Sequence, residues 1–225
     1  MVQVKICGIK KEEDAKWAVS LGADMLGFIF FKKSPRYVST QLARKIIKGL
    51  PPFVLPVGVF VDEQQDLIRK TVKSCGLKII QLHGNETPEF CLNLRAMLGP
   101  DKSGQSISEV KIIKSFRIQN ESVLQIQPFR EPVRAADFFL LDTFREGVPG
   151  GTGETFDWEL AIKAKEYGPI FLSGGLNPDN VVKAIQTVRP YGVDVATGVE
   201  SEGMATGRKD YEKMKKFISR AKSIL

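Results

Sequence analysis

The sequence predicts an α/β chain: a single domain over residues 1–225, built as a closed parallel eight-stranded sheet with a helix after each strand. Three observations carry this. Eight apolar, β-branched runs recur with helical segments between them, their starts 23, 29, 24, 32, 27, 32 and 23 residues apart. Each interval fits one strand, one helix and two short loops. The runs lack a clean polar face, as strands do when both sides of a parallel sheet are covered. Polar residues and glycines gather at the C-terminal ends of the runs, where a (β/α)8, or TIM, barrel keeps its chemistry. The rival is an open doubly wound sheet, which would leave two edges to protect.

In chain order the strands are predicted near Val2–Ile6, Met25–Phe30, Val54–Val61, Lys78–Leu82, Val110–Phe116, Asp137–Leu141, Pro169–Leu172 and Gly192–Ala196. Thr87-Pro88-Glu89 and Asn177-Pro178-Asp179 each offer a capping side chain, a proline suited to the first helical turn, and an acid near the positive end of the helix dipole. Asp157 is a third candidate cap. Gly99–Ser108 is polar and rich in Gly and Ser; as a helix-to-strand connection it belongs on the N-terminal face, and a mobile loop whose shortening spares catalysis is expected.

Composition narrows the function. Hydrophobic residues make up 43% and charged residues 26%, a globular mix that excludes disordered and collagen-like chains. The cysteines, Cys7, Cys75 and Cys91, are an odd number without a CxxC pair, which fits a reducing compartment rather than a disulfide framework. The single histidine, His83, rules out a two-His zinc site and HExxH, and no metal is expected. No run of ~18 apolar residues is present, so no membrane span is expected. The N-terminal residues show no cleavage signal, and a cytoplasmic location is expected. Of the net charge of +7, +5 falls between Arg208 and Lys222, where Tyr211, Met214, Phe217, Ile218 and Ala221 keep helical spacing. That segment reads as the solvated face of a terminal helix rather than a nucleic-acid surface.

The strand ends supply candidate site residues. Cys7 follows strand 1 and shares a face with Lys5, whose ammonium is expected to raise the thiolate fraction. Cys75 and Cys91 lie on helices and read as packing residues. Asp142 ends an apolar run, a setting that favours the protonated carboxyl and suits a general acid. Asp194 is expected to pair with Lys5 across the closed barrel. Arg36, in a loop with three cations in five residues, can hold a carboxylate or phosphate with its fork. His83 is either a substrate contact or a packed ring. Gly174, Gly175 and Gly198 follow strands 7 and 8, where barrels commonly bind phosphate through backbone N–H groups. Gly151 and Gly153 lie in the long connection Thr143–Thr155, which reads as a lid and lacks the GK[ST] ending of a Walker A loop.

Together VKICGIK (Val4–Lys10), SPRYV (Ser34–Val38), VGVFVD (Val57–Asp62), QLHGNE (Gln81–Glu86), LLDT (Leu140–Thr143), GGTGETFDW (Gly150–Trp158), LSGGLNPDNV (Leu172–Val181) and GVDVATGVE (Gly192–Glu200) span nearly the whole chain. In that order they resemble the phosphoribosylanthranilate isomerase family of tryptophan biosynthesis. The resemblance implies an Amadori rearrangement with Cys7 as general base and Asp142 as general acid. It places Arg36 near the anthranilate carboxylate, His83 at the wall, and the glycines after strands 6 to 8 on the phosphate. It implies a small phosphorylated substrate, no cofactor, no nucleic-acid partner and no membrane, with the chain a monomer or homodimer. Ala196-Thr197-Gly198 departs from the family pattern of two serines before the glycine, and Thr206-Gly207 from Pro-Gly. Other readings remain: the related histidine-pathway isomerase, which uses two aspartates; a non-catalytic barrel; and a covalent cysteine enzyme.

Overall fold

The computed structural model describes residues 1–99, 110–118, 120–130, 133–143, 157–203 and 207–224. Within them the strands β1 (Gln3–Cys7), β2 (Met25–Ile29), β3 (Leu55–Phe60), β4 (Ile79–Leu82), β5 (Lys111–Ile118), β6 (Phe138–Thr143), β7 (Ile170–Leu172) and β8 (Gly192–Val195) pair in sequence order and close into a barrel. All eight pairings are parallel, including β1 with β8, so the predicted closed sheet is present and no open edge remains.

The helices are α1 (Glu12–Ser20), α2 (Thr40–Lys48), α3 (Gln65–Cys75), α4 (Pro88–Leu98), α5 (Trp158–Ala164), α6 (Val181–Val188) and α7 (Tyr211–Lys222). Thr87 and Asp157 cap as expected: Phe90 N–H donates to Thr87 Oγ1 at 3.2 Å and Glu159 N–H to Asp157 Oδ1 at 3.0 Å. Such a cap contributes about 1 kcal/mol. Asn177 does not start a helix directly. Its Oδ1 accepts from Asp179 and Asn180 N–H, closing a local turn, and α6 begins only at Val181. After β5 a 3-10 segment, Asn120–Phe129, replaces the expected α-helix. Pro128 removes one donor there, and buried Ile126 and Phe129 stand three apart, the spacing that lines up on a 3-10 turn. Of the polar stretch Gly99–Ser108, all but Gly99 lies outside the described residues.

Two apolar layers form. The larger lies between strands and helices and takes in Cys75 and Cys91, as their packing role required. The smaller fills the barrel: Met25, Val57, Ile79, Ile113, Leu140 and Phe171. At its lower edge Phe138, Phe171 and Tyr191 meet edge-on or tilted with centroids 5.1–5.8 Å apart, so the strands' N-terminal end is filled with rings. Terminal α7 buries Met214, Phe217, Ile218 and Ala221, as the spacing predicted, and exposes Lys215 and Lys216, while Lys213 and Lys222 are half-buried against Glu202 and Asp24. No described helix is long and apolar enough to cross a membrane.

Candidate active site

Paired residues in a parallel sheet point the same way, and side chains alternate along each strand. Lys5 pairs with Met25 and Asp194, and Cys7 with Gly27, itself opposite Val57. Met25 and Val57 belong to the inner cluster, so Lys5, Cys7 and Asp194 point inward. The same alternation turns Gln81, two beyond Ile79, and Asp142, two beyond Leu140, into the barrel above that cluster. Polar groups therefore collect over an apolar floor at the C-terminal mouth.

Cys7 is 5% exposed. Gly27 makes room for it: a Cβ there would lie 2.7 Å from Sγ and 3.2 Å from Lys5 Nζ. Lys5 Nζ meets Asp194 Oδ1 at 2.7 Å, the expected pairing, and Ser173 Oγ donates to Asp194 Oδ2 at 3.2 Å. Burial works against the Lys5 charge, but Asp194 and the Cys7 sulfur outweigh it and hold the ammonium in place. Lys5 does pull the Cys7 thiol toward ionisation, as expected, but it does not decide the net shift. Burial pushes the Cys7 thiol above its ordinary value; Lys5 and Lys209 pull it back only in part, and the Asp194 carboxylate offsets Lys5.

Strands β1, β8, β7 and β6 follow one another around the barrel. Contacts step across them from Lys5 to Asp194 to Ser173, and the next residue, Gly174, lies against Asp142: a Cβ on Gly174 would sit 3.0 Å from Asp142 Oδ1. Thr143 N–H donates to that same oxygen at 2.9 Å. The other carboxylate oxygen faces His83 Nε2 at 3.4 Å, and His83 Nδ1 lies 2.9 Å from Gln81 Nε2. His83 thus touches the candidate acid.

Arg36 closes the other flank, packed over Gly8. Its Nε and Nη2 grip both oxygens of Glu200 at 2.6 and 2.9 Å, and Nη2 also donates to Thr197 Oγ1 at 2.9 Å. The fork expected to meet a ligand is thus partly engaged by the protein. Burial opposes the Arg36 charge, but Glu200 more than restores it; burial likewise opposes ionisation of Glu200, yet Arg36 and Lys209 hold its carboxyl below the usual range. Lys209 Nζ reaches Glu200 Oε1 at 3.1 Å and Ala196 O at 3.0 Å. It is only 1% exposed, and burial lowers its pKa despite Glu200. Part of the basic run read as solvated therefore faces the site.

Gly174 and Gly175 take left-handed φ of 80° and 66°. Gly198 is pressed against the Leu176 carbonyl, where a side chain would collide, so the turns after β7 and β8 lie side by side. Gly151, Gly153 and most of the Thr143–Thr155 connection lie outside the described residues, as does Thr206. Among the described residues no cluster of His, Cys, Asp or Glu could hold a metal. Glu200, Lys209 and Gln81 escaped sequence reasoning, and Thr197 was read only as a strand-end residue and not as an Arg36 partner. Glu200 and Gln81 each close or open a quoted motif, but only the fold shows what they touch.

Residues 4–220 match the family described as N-(5'phosphoribosyl)anthranilate (PRA) isomerase. The N-(5'-phosphoribosyl)anthranilate isomerase of Geobacter sulfurreducens is 47% identical over 222 residues, covering 99% of both chains. That of Geobacter metallireducens is 46% identical over 223 residues, covering 99% of this chain and 100% of its own. Among solved structures, phosphoribosyl anthranilate isomerase from Thermotoga maritima superposes with a TM-score of 0.85 at 40% identity over 100% of both chains. An isomerase in complex with reduced 1-(o-carboxyphenylamino)-1-deoxyribulose 5-phosphate gives 0.82 at 39%, again over 100% of both. With its closed barrel and a mouth lined by Cys7, Asp142 and Arg36, the chain belongs to the phosphoribosylanthranilate isomerase family.

Proposed function

We infer that this chain, acting as one barrel domain, converts N-(5-phosphoribosyl)anthranilate to 1-(2-carboxyphenylamino)-1-deoxyribulose 5-phosphate in tryptophan biosynthesis, with Cys7 as base and Asp142 as acid. The observation that carries the assignment is that both side chains turn inward at the C-terminal ends of strands, above one apolar floor. Asp142 gives its proton to the furanose ring oxygen. The C1′–O bond breaks toward that oxygen, and the anilino nitrogen's lone pair forms an iminium. This electron sink acidifies the C2′ proton, which the Cys7 thiolate removes; the C–H pair becomes the C1′=C2′ bond of an enolamine and neutralises the nitrogen. Tautomerisation leaves a ketone at C2′ and a CH2 at C1′. Every step is a proton transfer or bond shift within one molecule, and no redox carrier takes part.

Arg36 offers its remaining Nη1 edge to the anthranilate carboxylate, with Glu200 and Thr197 fixing the fork. Left-handed Gly174 and Gly175, with Gly198 beside them, present backbone to the phosphate. Gly151 and Gly153 join that site on the resemblance alone, as does His83 as a wall residue. Phosphate binding contributes remote energy that orients the sugar. The reduced product carried by a relative supports a phosphorylated ligand of this class. The isomerase of Thermotoga maritima is described as dimeric, which favours the homodimer, and light scattering decides it. Buried free cysteines accord with a cytoplasmic location.

The test is turnover of phosphoribosylanthranilate to the open-chain ketose. Cys7→Ala and Asp142→Ala each lower kcat far more than they weaken product binding, and Arg36→Ala mainly raises KM. Strong residual turnover in either of the first two rejects that residue's role, and an unchanged KM rejects the third. An adduct trapped on Cys7 during turnover would favour a covalent route.

A further inference from the structure

Gln81 is 1% exposed, inside the barrel. Its Nε2 sits 2.9 Å from His83 Nδ1, and its Oε1 has no hydrogen-bond partner among the described residues. On the far side of the imidazole, His83 Nε2 faces Asp142 Oδ2 at 3.4 Å. Resting on the assignment of Asp142 as acid, we propose that Gln81 is a positioning residue: it locks His83 in the Nε2–H tautomer, so that the ring N–H stabilises the Asp142 carboxylate left by proton transfer.

A neutral imidazole has one donor and one acceptor nitrogen, while an amide nitrogen offers only hydrogens. Facing Gln81 Nε2, the ring's Nδ1 must accept, and the single proton falls on Nε2. Turning the amide over would strand a buried NH2 group with two donors in place of one carbonyl oxygen. It would also aim the bare Nε2 lone pair at the Asp142 carboxylate once that group has given up its proton. Both changes cost free energy, since an unmet buried polar group bears its full desolvation penalty. His83 is also anchored through its backbone, whose N–H donates to Phe60 O at 2.8 Å.

The distances give this arrangement its catalytic sense. Thr143 N–H already lies 2.9 Å from Asp142 Oδ1. The His83 contact of 3.4 Å is longer than a formed hydrogen bond and tightens as negative charge develops on Asp142. An interaction stronger after proton transfer than before raises kcat and leaves substrate affinity alone.

His83 is the chain's single histidine, so 15N spectra of labelled imidazole report on one ring without assignment. Recorded at a pH where the spectrum shows a single ring proton, wild-type protein shows a bare Nδ1 and a protonated Nε2. Gln81→Met and Gln81→Leu give a tautomer mixture and lower kcat about tenfold, the scale of one lost hydrogen bond, with KM within about twofold. A protonated Nδ1 in wild-type protein overturns the proposal with no variant needed. So does an unaltered tautomer, or an unaltered kcat, in whichever variant folds with wild-type circular dichroism. Failure of the underlying assignment looks different: Asp142→Asn then turns over at the wild-type rate whatever the ring spectrum shows.

Discussion

Gly27→Ala tests the seat of the candidate base with the smallest possible change. The added Cβ would stand 2.7 Å from Cys7 Sγ, 3.0 Å from Cys7 Cα and 3.2 Å from Lys5 Nζ. Carbon atoms in contact prefer about 3.5–4.0 Å, so the sulfur must retreat by about 1 Å. A rotamer change cannot relieve the whole clash, because one of the atoms met is backbone. Displacing a reacting group by about 1 Å costs on the order of 100-fold in rate. Overpacking a filled interior costs about 1–3 kcal/mol. At about 2–4 °C per kcal/mol for a chain of this size, the unfolding midpoint falls by about 2–12 °C. Steady-state turnover and thermal circular dichroism measure the two effects. Wild-type kcat together with an unshifted midpoint would show that Cys7 does not occupy a constrained reacting position, and the reasoning would fail.

The Cys7 thiol is pushed above its ordinary value, chiefly by burial, so kcat/KM should keep rising with pH beyond pH 8; a plateau reached by pH 7 would contradict thiolate catalysis. Stability should run the other way. A raised thiol pKa leaves the folded state at full advantage below the ordinary value and removes that advantage as pH climbs through the folded one. With Cys91 pushed up to about 11, urea midpoints should decline between about pH 9 and 11; a flat profile would refute this. Lys114→Met should destabilise by about 3–5 kcal/mol, since it leaves the buried Glu86 carboxylate without its cation, held only by the Asp62 and Gly84 N–H groups. Lys114 Nζ meets Glu86 Oε2 at 3.0 Å and Gly84 O at 2.7 Å, behind the turn that carries His83. Urea unfolding within about 1 kcal/mol of wild type would overturn that estimate.

The barrel was legible because strand spacing and the lack of a polar face are both consequences of covering a parallel sheet on two sides. Cys7, Asp142 and the Lys5–Asp194 pair were legible for a related reason: alternation fixes which residues point inward once the strands are set. The environment of a group was harder to read. Lys5 beside Cys7 promised an activated thiol, yet desolvation sums over every neighbour and Asp194 takes up much of the ammonium's field. Lys209 looked like one more solvated cation, because nothing local distinguishes it from Lys213 or Lys215; only the antiparallel bridge between Glu200 and Lys209 brings the two together. Gln81 looked like one polar residue on a strand, and its meaning comes from His83 and Asp142, 2 and 61 residues further on. Asn177 misled for a local reason: an Asx turn and a helix cap share the same side-chain chemistry.

The most direct measurement is a crystal structure of the Cys7→Ser variant with the reduced ketose phosphate bound. The side-chain oxygen replacing the sulfur should lie within about 3.5 Å of C2′, with the Asp142 carboxylate at a similar reach from the oxygen released by ring opening. Two side chains flanking one sugar in that way are what the account predicts. A sugar that touches only one of them, with the other separated by more than its own width, would contradict it.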